Sequence, residues 1–257
     1  MLSIQPIEAF SDNYIWLISR ESDKQAFVVD PGDPEVVEQV LSARGLSMAG
    51  ILITHHHFDH VGGLTALKAA HNPVVYGPDN PAIEGIDHKV GAGDSVDVLG
   101  ETFTVLEVPG HTLDHIAYVA GGDNPSLFCG DTLFAGGCGR LFEGTPQMMH
   151  KSLQALMELP GNTSVYCAHE YTLANLEFAR AVEPGNAELI KRIADAQASR
   201  ARGEPTVPSN IALEQATNPF VRCETKELQA SLEAQHKLGD TAADAVFALV
   251  RDWKDNF

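Results

Sequence analysis

Short apolar runs that end in polar residues or glycine recur through the first 170 residues of this chain. Continuous apolar runs of this kind are typical of strands that are buried on both faces. Segments with helical signals separate the runs, so we predict an α/β protein with sheets inside and helices outside. The predicted strands are at residues 26–29, 51–53, 103–106, 127–129 and 165–167.

Two of the intervening segments carry clear helix signals. Residues 34–44 follow Asp33, a residue type favoured at a helix N-cap, and stop at Gly45. Residues 146–159 begin with Pro146, which is tolerated in a first helical turn, and are followed by Pro and Gly. We therefore predict a helix in each segment.

The last part of the chain changes in character. It predicts helices at residues 188–202, 226–237 and 241–255, and an extended segment with three prolines at 205–219. We place a domain boundary at this change, with one domain at residues 1–170 and a helical domain at residues 171–257.

Composition excludes several classes of protein. The 257 residues are 44% hydrophobic and 20% charged, as expected of a globular chain, and the net charge of −18 argues against nucleic acids and anionic membranes as partners. The apolar runs are too short to span a bilayer, and no signal peptide is visible. Four cysteines without CxxC spacing predict free thiols. We expect a cytoplasmic protein and, as the simplest case, a monomer.

A cluster of histidines follows the predicted strand at 51–53. His55 and His57 alternate to one side of an extended segment, and Asp59 and His60 lie where the chain turns into a helix. One short loop therefore directs several donors into a small volume. Imidazole and carboxylate are ligands that zinc, iron and manganese all accept.

Three further candidate ligands follow other predicted strands: His111, Asp131 and His169. Each alone is a common loop residue, but all lie at the same end of their strands, where α/β layers build their sites. Seven ligands are too many for one ion, so the set predicts two metals, with open positions for a shared nucleophile. The ligand types suit zinc, iron and manganese alike; we predict two divalent ions, zinc in the first place, with iron or manganese as alternatives.

The motif THHHFDHVGG, with the later His111, Asp131 and His169, resembles the metallo-β-lactamase superfamily. Further segments resemble its glyoxalase II branch, the hydroxyacylglutathione hydrolases, and together these matches cover essentially the whole chain. These segments include DNYIW near the start, FCGDTLF, GGCGR, FEGT, CAHEYT, EPGN, TNPF and the final KDNF.

The resemblance implies an αββα sandwich followed by a helical domain. It also implies that His55, His57 and His111 bind one metal. The second metal takes Asp59, His60 and His169, and Asp131 bridges the two. Asp59 and Asp131 thus carry the catalytic roles, while Asp30, His56 and His115 are expected to support the ligands.

The family cleaves S-D-lactoylglutathione to D-lactate and glutathione by means of a metal-bridging hydroxide, the second step of methylglyoxal detoxification. Arg251 and Lys254, which the resemblance assigns to the glutathione carboxylates, lie one helical turn apart, although cations there also complement a helix dipole. Arg140 and Tyr171 match further substrate contacts. Phe142 stands where some members have Tyr, and Asp114 where Gly is commoner.

Two other activities on the same scaffold remain open from the sequence. A glutathione persulfide dioxygenase of the superfamily uses a single iron on two His and one Asp. A lactonase would keep both metals but would not depend on Arg251 and Lys254. A non-catalytic metal-binding protein is disfavoured, because structural zinc sites are closed.

Overall fold

The computed structural model describes residues 2–20 and 22–257. The chain forms two compact units. The first unit comprises the described residues up to Val108 together with Asp114–Gly130, and the second comprises Pro109–Leu113 together with Asp131–Phe257. The predicted boundary at residue 170 stays a prediction.

The first unit opens with a mixed sheet in the strand order β1-β2-β3-β4-β5-β6. The first three strands pair antiparallel, and the pairs from β3 onward are parallel. The predicted runs at 26–29 and 51–53 lie in β3 and at the end of β4, as expected of buried strands. The strands are β1 Leu2–Ala9, β2 Asn13–Arg20, β3 Gln25–Val29, β4 Ser47–Leu52, β5 Val74–Gly77 and β6 His88–Lys89.

Helices cover one face of this sheet: α1 Pro34–Arg44, α2 Phe58–Val61 and α3 Leu64–His71. The α1 bounds confirm the prediction, because Asp33 accepts a bond from the amide of Glu35 and Gly45 ends the helix in a left-handed conformation. Val37 and Leu41 of α1 pack with Ile51 of β4 in one buried core.

The remaining strands of the first unit pair antiparallel in the order β10-β9-β8-β7. They are β7 Ser95–Val98, β8 Glu101–Glu107, β9 Ile116–Ala120 and β10 Ser126–Gly130. Tyr118 of β9 donates to the carbonyl of Ile53 at 2.9 Å, so these strands pack face to face with the first sheet. Burial raises the pKa of Tyr118, and the nearby Asp30 adds to the shift.

The second unit contains two short strand pairs and six helices within the described residues. Strands β11 and β12 form a hairpin, and β13 pairs antiparallel with β14. The strands are β11 Leu133–Phe134, β12 Gly137–Cys138, β13 Ser164–Cys167 and β14 Ser209–Asn210. The helices are α4 Pro146–Met157, α5 Thr172–Val182, α6 Ala187–Ala201, α7 Ile211–Thr217, α8 Lys226–Ala234 and α9 Ala243–Asp255.

The structure corrects one prediction and adds one helix. The segment 205–219 is not extended throughout, because its prolines flank rather than interrupt α7, and Asn210 caps that helix by accepting from the amide of Leu213. Helix α5 is an element that the sequence patterns did not predict. Throughout residues 2–20 and 22–257, no helix has both the length and the apolar character needed to cross a membrane.

Candidate metal centre

The first group of donors lies at the carboxyl ends of β3 and β4. Because these strands are parallel and adjacent, Asp30 and the loop that starts at Thr54 leave the same edge of the sheet. Asp30 is 4% exposed and accepts from both the amide and the hydroxyl of Thr54, each at 2.7 Å. Its Oδ2 also lies 3.0 Å from Nδ1 of His60.

These bonds fix the proton positions on two imidazoles. An ionised carboxylate only accepts hydrogen bonds, so Nδ1 of His60 donates to Asp30. The Thr54 hydroxyl gives its proton to Asp30 and so accepts from Nδ1 of His55, 3.0 Å away. In the neutral form, each ring therefore has its proton on Nδ1 and presents Nε2, the nitrogen that can bind a metal.

The rest of the histidine loop lies around these two rings. The His57 ring centroid is 4.8 Å from that of His55, and the carboxylate of Asp59 lies 3.4 Å from Nε2 of His60. Asn13, at the start of β2, donates to Asp59 at 2.9 Å. A side chain at Gly32 would have its Cβ 1.9 Å from the carbonyl of Asp59, so glycine there permits the close approach of this loop.

His56 points to a different set of partners in the first unit. Its Nδ1 lies 2.9 Å from Asp114, whose other oxygen accepts from Asn80 at 2.8 Å. Asp114 therefore holds the central histidine of the loop. The sequence left its role open between supporting a ligand and lying on the surface.

The second group of donors centres on Asp131 in the second unit. One of its oxygens lies 3.4 Å from Nε2 of His111 and the other lies 3.4 Å from Nε2 of His169. All three residues are buried. A carboxylate with one imidazole beside each oxygen is a set of donors that can bind metal.

The hairpin after Asp131 supports this group. The carbonyl of Arg140 accepts from Nδ1 of His111 at 2.7 Å, so in the neutral form of that ring the proton is on Nδ1 and not on Nε2. The amide of Gly139 donates to Thr132 at 3.2 Å, and a Cβ on Gly139 would stand 1.9 Å from the carbonyl of Asp131. Only glycine fits there, because the two backbone segments run in contact.

Aromatic rings lie beside this second group. Tyr171 stacks on His169, with ring centroids 4.7 Å apart and planes 7° from parallel. Phe142 meets His111 edge to face at 5.2 Å and is 62% exposed. Phe142 can therefore pack against a bound molecule but cannot donate to it.

The three cationic side chains that are predicted to bind the substrate have different surroundings. The side chain of Arg140 is 61% exposed, whereas Arg251 is 6% exposed and donates to Asp255 at 2.8 Å and to the carbonyl of Cys138 at 3.2 Å. Lys254 is half-buried and donates to Ala174 at 3.2 Å. Partial burial, together with the neighbouring Arg251, lowers the pKa of Lys254.

The donor chemistry fits divalent metals in both units. Histidines are fixed in the ligand tautomer by bonds to their other nitrogen, and carboxylates accompany them, as in metal sites supported by an outer shell of hydrogen bonds. These His and Asp clusters can bind metal.

Comparison with known proteins agrees with this chemistry. A family model described as the metallo-β-lactamase superfamily matches residues 10–169, which gives the class of protein. A second, described as the C-terminus of hydroxyacylglutathione hydrolase, matches residues 170–257. The chain belongs to the hydroxyacylglutathione hydrolase family within that superfamily.

Relatives with this name align over their full length. The hydroxyacylglutathione hydrolase of Dechloromonas aromatica is 52% identical and that of Chromohalobacter salexigens 50%, with all of each chain covered. The crystal structure of ETHE1 from Myxococcus xanthus is 27% identical, covers 99% of both chains and has a TM-score of 0.66. The structure of TTHA1623 in a di-iron-bound form is 25% identical, covers 84% of this chain and 99% of that one, and has a TM-score of 0.59.

These comparisons confirm the predicted fold, an αββα metallo-β-lactamase sandwich with a C-terminal helical region, and the predicted class of enzyme. The sequence did not identify Asn13 and Thr54 as supporting residues. Asn13 lies 46 positions from the Asp59 that it holds, and no local pattern connects them.

Proposed function

We propose that this chain hydrolyses hydroxyacylglutathione thioesters, with S-D-lactoylglutathione as the substrate, in the second step of methylglyoxal detoxification. The observation that carries the proposal is the placement of Asp131, whose two oxygens each lie 3.4 Å from a different imidazole. That placement suits a shared ligand between two metals, and the family relationship supplies the substrate class.

The proposed ligands form two sets. His55, His57 and His111 would hold one metal, Asp59, His60 and His169 would hold the other, and Asp131 would be shared between them. Two divalent ions, when bound, lower the pKa of a shared water to near neutrality and polarise the thioester carbonyl. Zinc is our proposed metal, with iron and manganese as alternatives, because His and Asp ligands suit all three.

The protein's own residues prepare this chemistry. Asp30 and Thr54 keep His55 and His60 in the ligand tautomer, and the Arg140 carbonyl does the same for His111. Asn13 orients Asp59. The leaving group is a thiolate, which is stable near neutral pH, so the reaction requires no dedicated general acid.

Four residues are proposed to hold the glutathione part of the substrate: Arg140, Tyr171, Arg251 and Lys254. Arg140 is open to solvent, and Tyr171 is 38% exposed and stacked on the ligand His169. Arg251 already donates to Asp255 and Cys138. Following the family resemblance, we propose Arg251 and Lys254 as the contacts for the glutathione carboxylates, and Arg140 and Tyr171 as further contacts.

Several expectations about the protein's surroundings remain proposals. We propose a cytoplasmic monomer that acts on a small molecule and binds neither nucleic acid nor membrane. The net charge of −18 supports the last two points. We also propose residues 171–257 as the substrate-binding domain, supported by the separate family match to residues 170–257.

The deciding experiment supplies S-D-lactoylglutathione to the purified protein and follows the loss of thioester absorbance alongside elemental analysis. We expect hydrolysis and close to two metals per chain. One iron per chain with oxygen uptake on glutathione persulfide would instead support the dioxygenase. Activity on a lactone that survives replacement of Lys254 would support the lactonase.

A further inference from the structure

A buried carboxylate in the second unit, that of Glu214, contacts the β11–β12 hairpin, which follows Asp131 in the chain. Glu214 lies in α7 and is fully buried, with no exposed surface. One of its oxygens accepts from Arg192 at 2.5 Å and also bonds the hydroxyl of Ser209. The other accepts from the amide of Gly136 at 2.9 Å and from the side chain of Asn218 at 3.0 Å.

Gly136 is the turn of the β11–β12 hairpin, residues 133–138. Its backbone is left-handed, with φ of 72°, and a Cβ there would stand 2.7 Å from Leu176. The turn therefore sits tightly against the helices. Asn218 reinforces it by donating to the carbonyl of Gly137 at 2.9 Å, and Asn175 donates to Ala135 at 3.3 Å.

The two ends of this hairpin lead directly to the second group of donors. Asp131 lies two residues before the hairpin, and Gly139 and Arg140 follow it. The Arg140 carbonyl sets the tautomer of His111, and Gly139 packs against Asp131. A shift of the hairpin would therefore move the Asp131 carboxylate. It would also remove the Arg140 carbonyl from Nδ1 of His111, so the proton of that ring would no longer be held on Nδ1.

The charge of Glu214 makes this contact strong and specific. A carboxylate that lies wholly inside a protein is stable only when it is paired and fully hydrogen-bonded. Arg192, itself 7% exposed, supplies the opposite charge and also donates to Thr217 at 2.6 Å. With that pair in place, the second oxygen is left to accept from the hairpin turn and from Asn218.

We propose that Glu214, held by Arg192 and assisted by Asn218, is a positioning residue for the metal centre, and that it fixes the hairpin so that Asp131 and His111 are arranged for a metal before one binds. The inference rests on the metal centre of the proposed function. Residues that support ligands from outside the coordination sphere commonly change metal affinity by about 10–100-fold.

The test replaces Glu214 with glutamine, which keeps the shape but removes the charge and places an NH2 group either against the two donors Gly136 and Asn218 or against Arg192. We expect the Kd for zinc, measured by titration of the metal-free full-length protein against a competing chelator, to rise at least about tenfold. Amide hydrogen exchange at Gly136 should become faster in the same variant.

Glu183→Gln is the matched control. Glu183 is 4% exposed and forms a two-point pair with Arg222, at 2.9 and 3.1 Å, in the same unit. Loss of this pair should also lower Tm, because it removes the carboxylate partner of Arg222, whose side chain is only 14% exposed. We expect its Kd for zinc to stay within about twofold of wild type, since its carboxylate bonds Arg222 rather than the hairpin.

If Glu214→Gln fails to fold, Asn218→Ala decides, because it removes the donor to Gly137 while keeping the Arg192–Glu214 pair. A raised Kd for zinc in Asn218→Ala supports the inference. Wild-type zinc affinity in a folded Glu214→Gln, or in Asn218→Ala when the first variant does not fold, overturns it. An equal loss of affinity in Glu183→Gln also overturns it. Failure to hydrolyse S-D-lactoylglutathione with normal metal binding would contradict only the proposed function.

Discussion

The two groups of donors are held in opposite ways. In the first unit, a single carboxylate outside the proposed ligand set, Asp30, orients His60 directly and His55 through Thr54. In the second unit, the carboxylate is itself a proposed ligand, and His111 and His169 flank its two oxygens. The first arrangement separates the supporting acid from the ligands, whereas the second makes one acid serve both histidines.

This difference has a consequence for sensitivity to mutation. Loss of Asp30 leaves every proposed ligand in place, although their proton positions and orientations are no longer fixed. In the proposed ligand set, loss of Asp131 would remove a ligand from both metals at once. The two units should therefore respond to the removal of a carboxylate with effects of different size.

The largest effect is expected for Asp131→Ala. We predict a loss of at least about 1,000-fold in kcat/KM, equivalent to about 4 kcal/mol of transition-state stabilisation, together with fewer metals per chain. Thioester hydrolysis and elemental analysis measure the two quantities. Asp123→Ala, at an exposed acid, is the control for the change in net charge. A fully metallated and active Asp131→Ala would refute the bridging role.

A smaller effect is expected for Asp30→Asn. Asp30 has a φ of 53°, and asparagine tolerates this left-handed conformation, so the backbone is preserved. The amide can still accept from some of the Asp30 partners but has lost the charge that fixes the His60 proton. We predict a rise in the Kd for zinc of about 10–100-fold with activity restored at high zinc. No recovery with added zinc would show that Asp30 acts by another route.

The position of the first group of donors could be predicted from the sequence, because it depends on local sequence patterns. Buried runs at 26–29 and 51–53 predicted strands, and polar residues directly after parallel strands meet at one edge of a sheet. This local pattern is enough to bring Asp30 and His55 to the same edge. Gly45 and Asp33 defined α1 in the same local way.

The support of the second group could not be predicted, since it depends on residues far apart in the chain. Glu214 accepts from Gly136, which is 78 positions away in the chain. It also lies in segment 205–219, which was predicted to be extended because it contains three prolines. Arg251 shows a related limit. Its spacing predicted only that it lies one helical turn from Lys254, whereas packing buries Arg251 against Cys138 and Asp255.

Weaker substrate binding is expected for Lys254→Ala. We predict a rise in KM of about tenfold with little change in kcat, because the contact is made equally in the bound and reacting states. The KM of the wild type should also rise at alkaline pH. The pKa of Lys254 is lowered by burial, so its charge is lost at a lower pH than that of a free lysine.

Two further variants test this assignment. Lys237→Ala removes an exposed cation elsewhere in the second unit, over the ring of Trp253, and should leave KM unchanged. Lys254→Arg should keep a low KM and move its alkaline rise to higher pH, because arginine stays protonated. An unchanged KM in Lys254→Ala would leave this residue with the role of complementing the dipole at the end of α9.

The smallest effect concerns the cysteines, which are all buried free thiols, as predicted. Burial raises the pKa of Cys138 to about 11 and that of Cys167 to about 12, so very little thiolate exists at pH ~8. We predict slow labelling by a thiol reagent in the native protein and rapid labelling of all the thiols in denaturant. Cys138 lies in the β11–β12 hairpin, so Glu214→Gln should speed its labelling while Cys129, in β10, stays slow. Rapid labelling of Cys138 in the wild type would mean that the hairpin opens freely, and the second group of donors would then be the less rigid of the two.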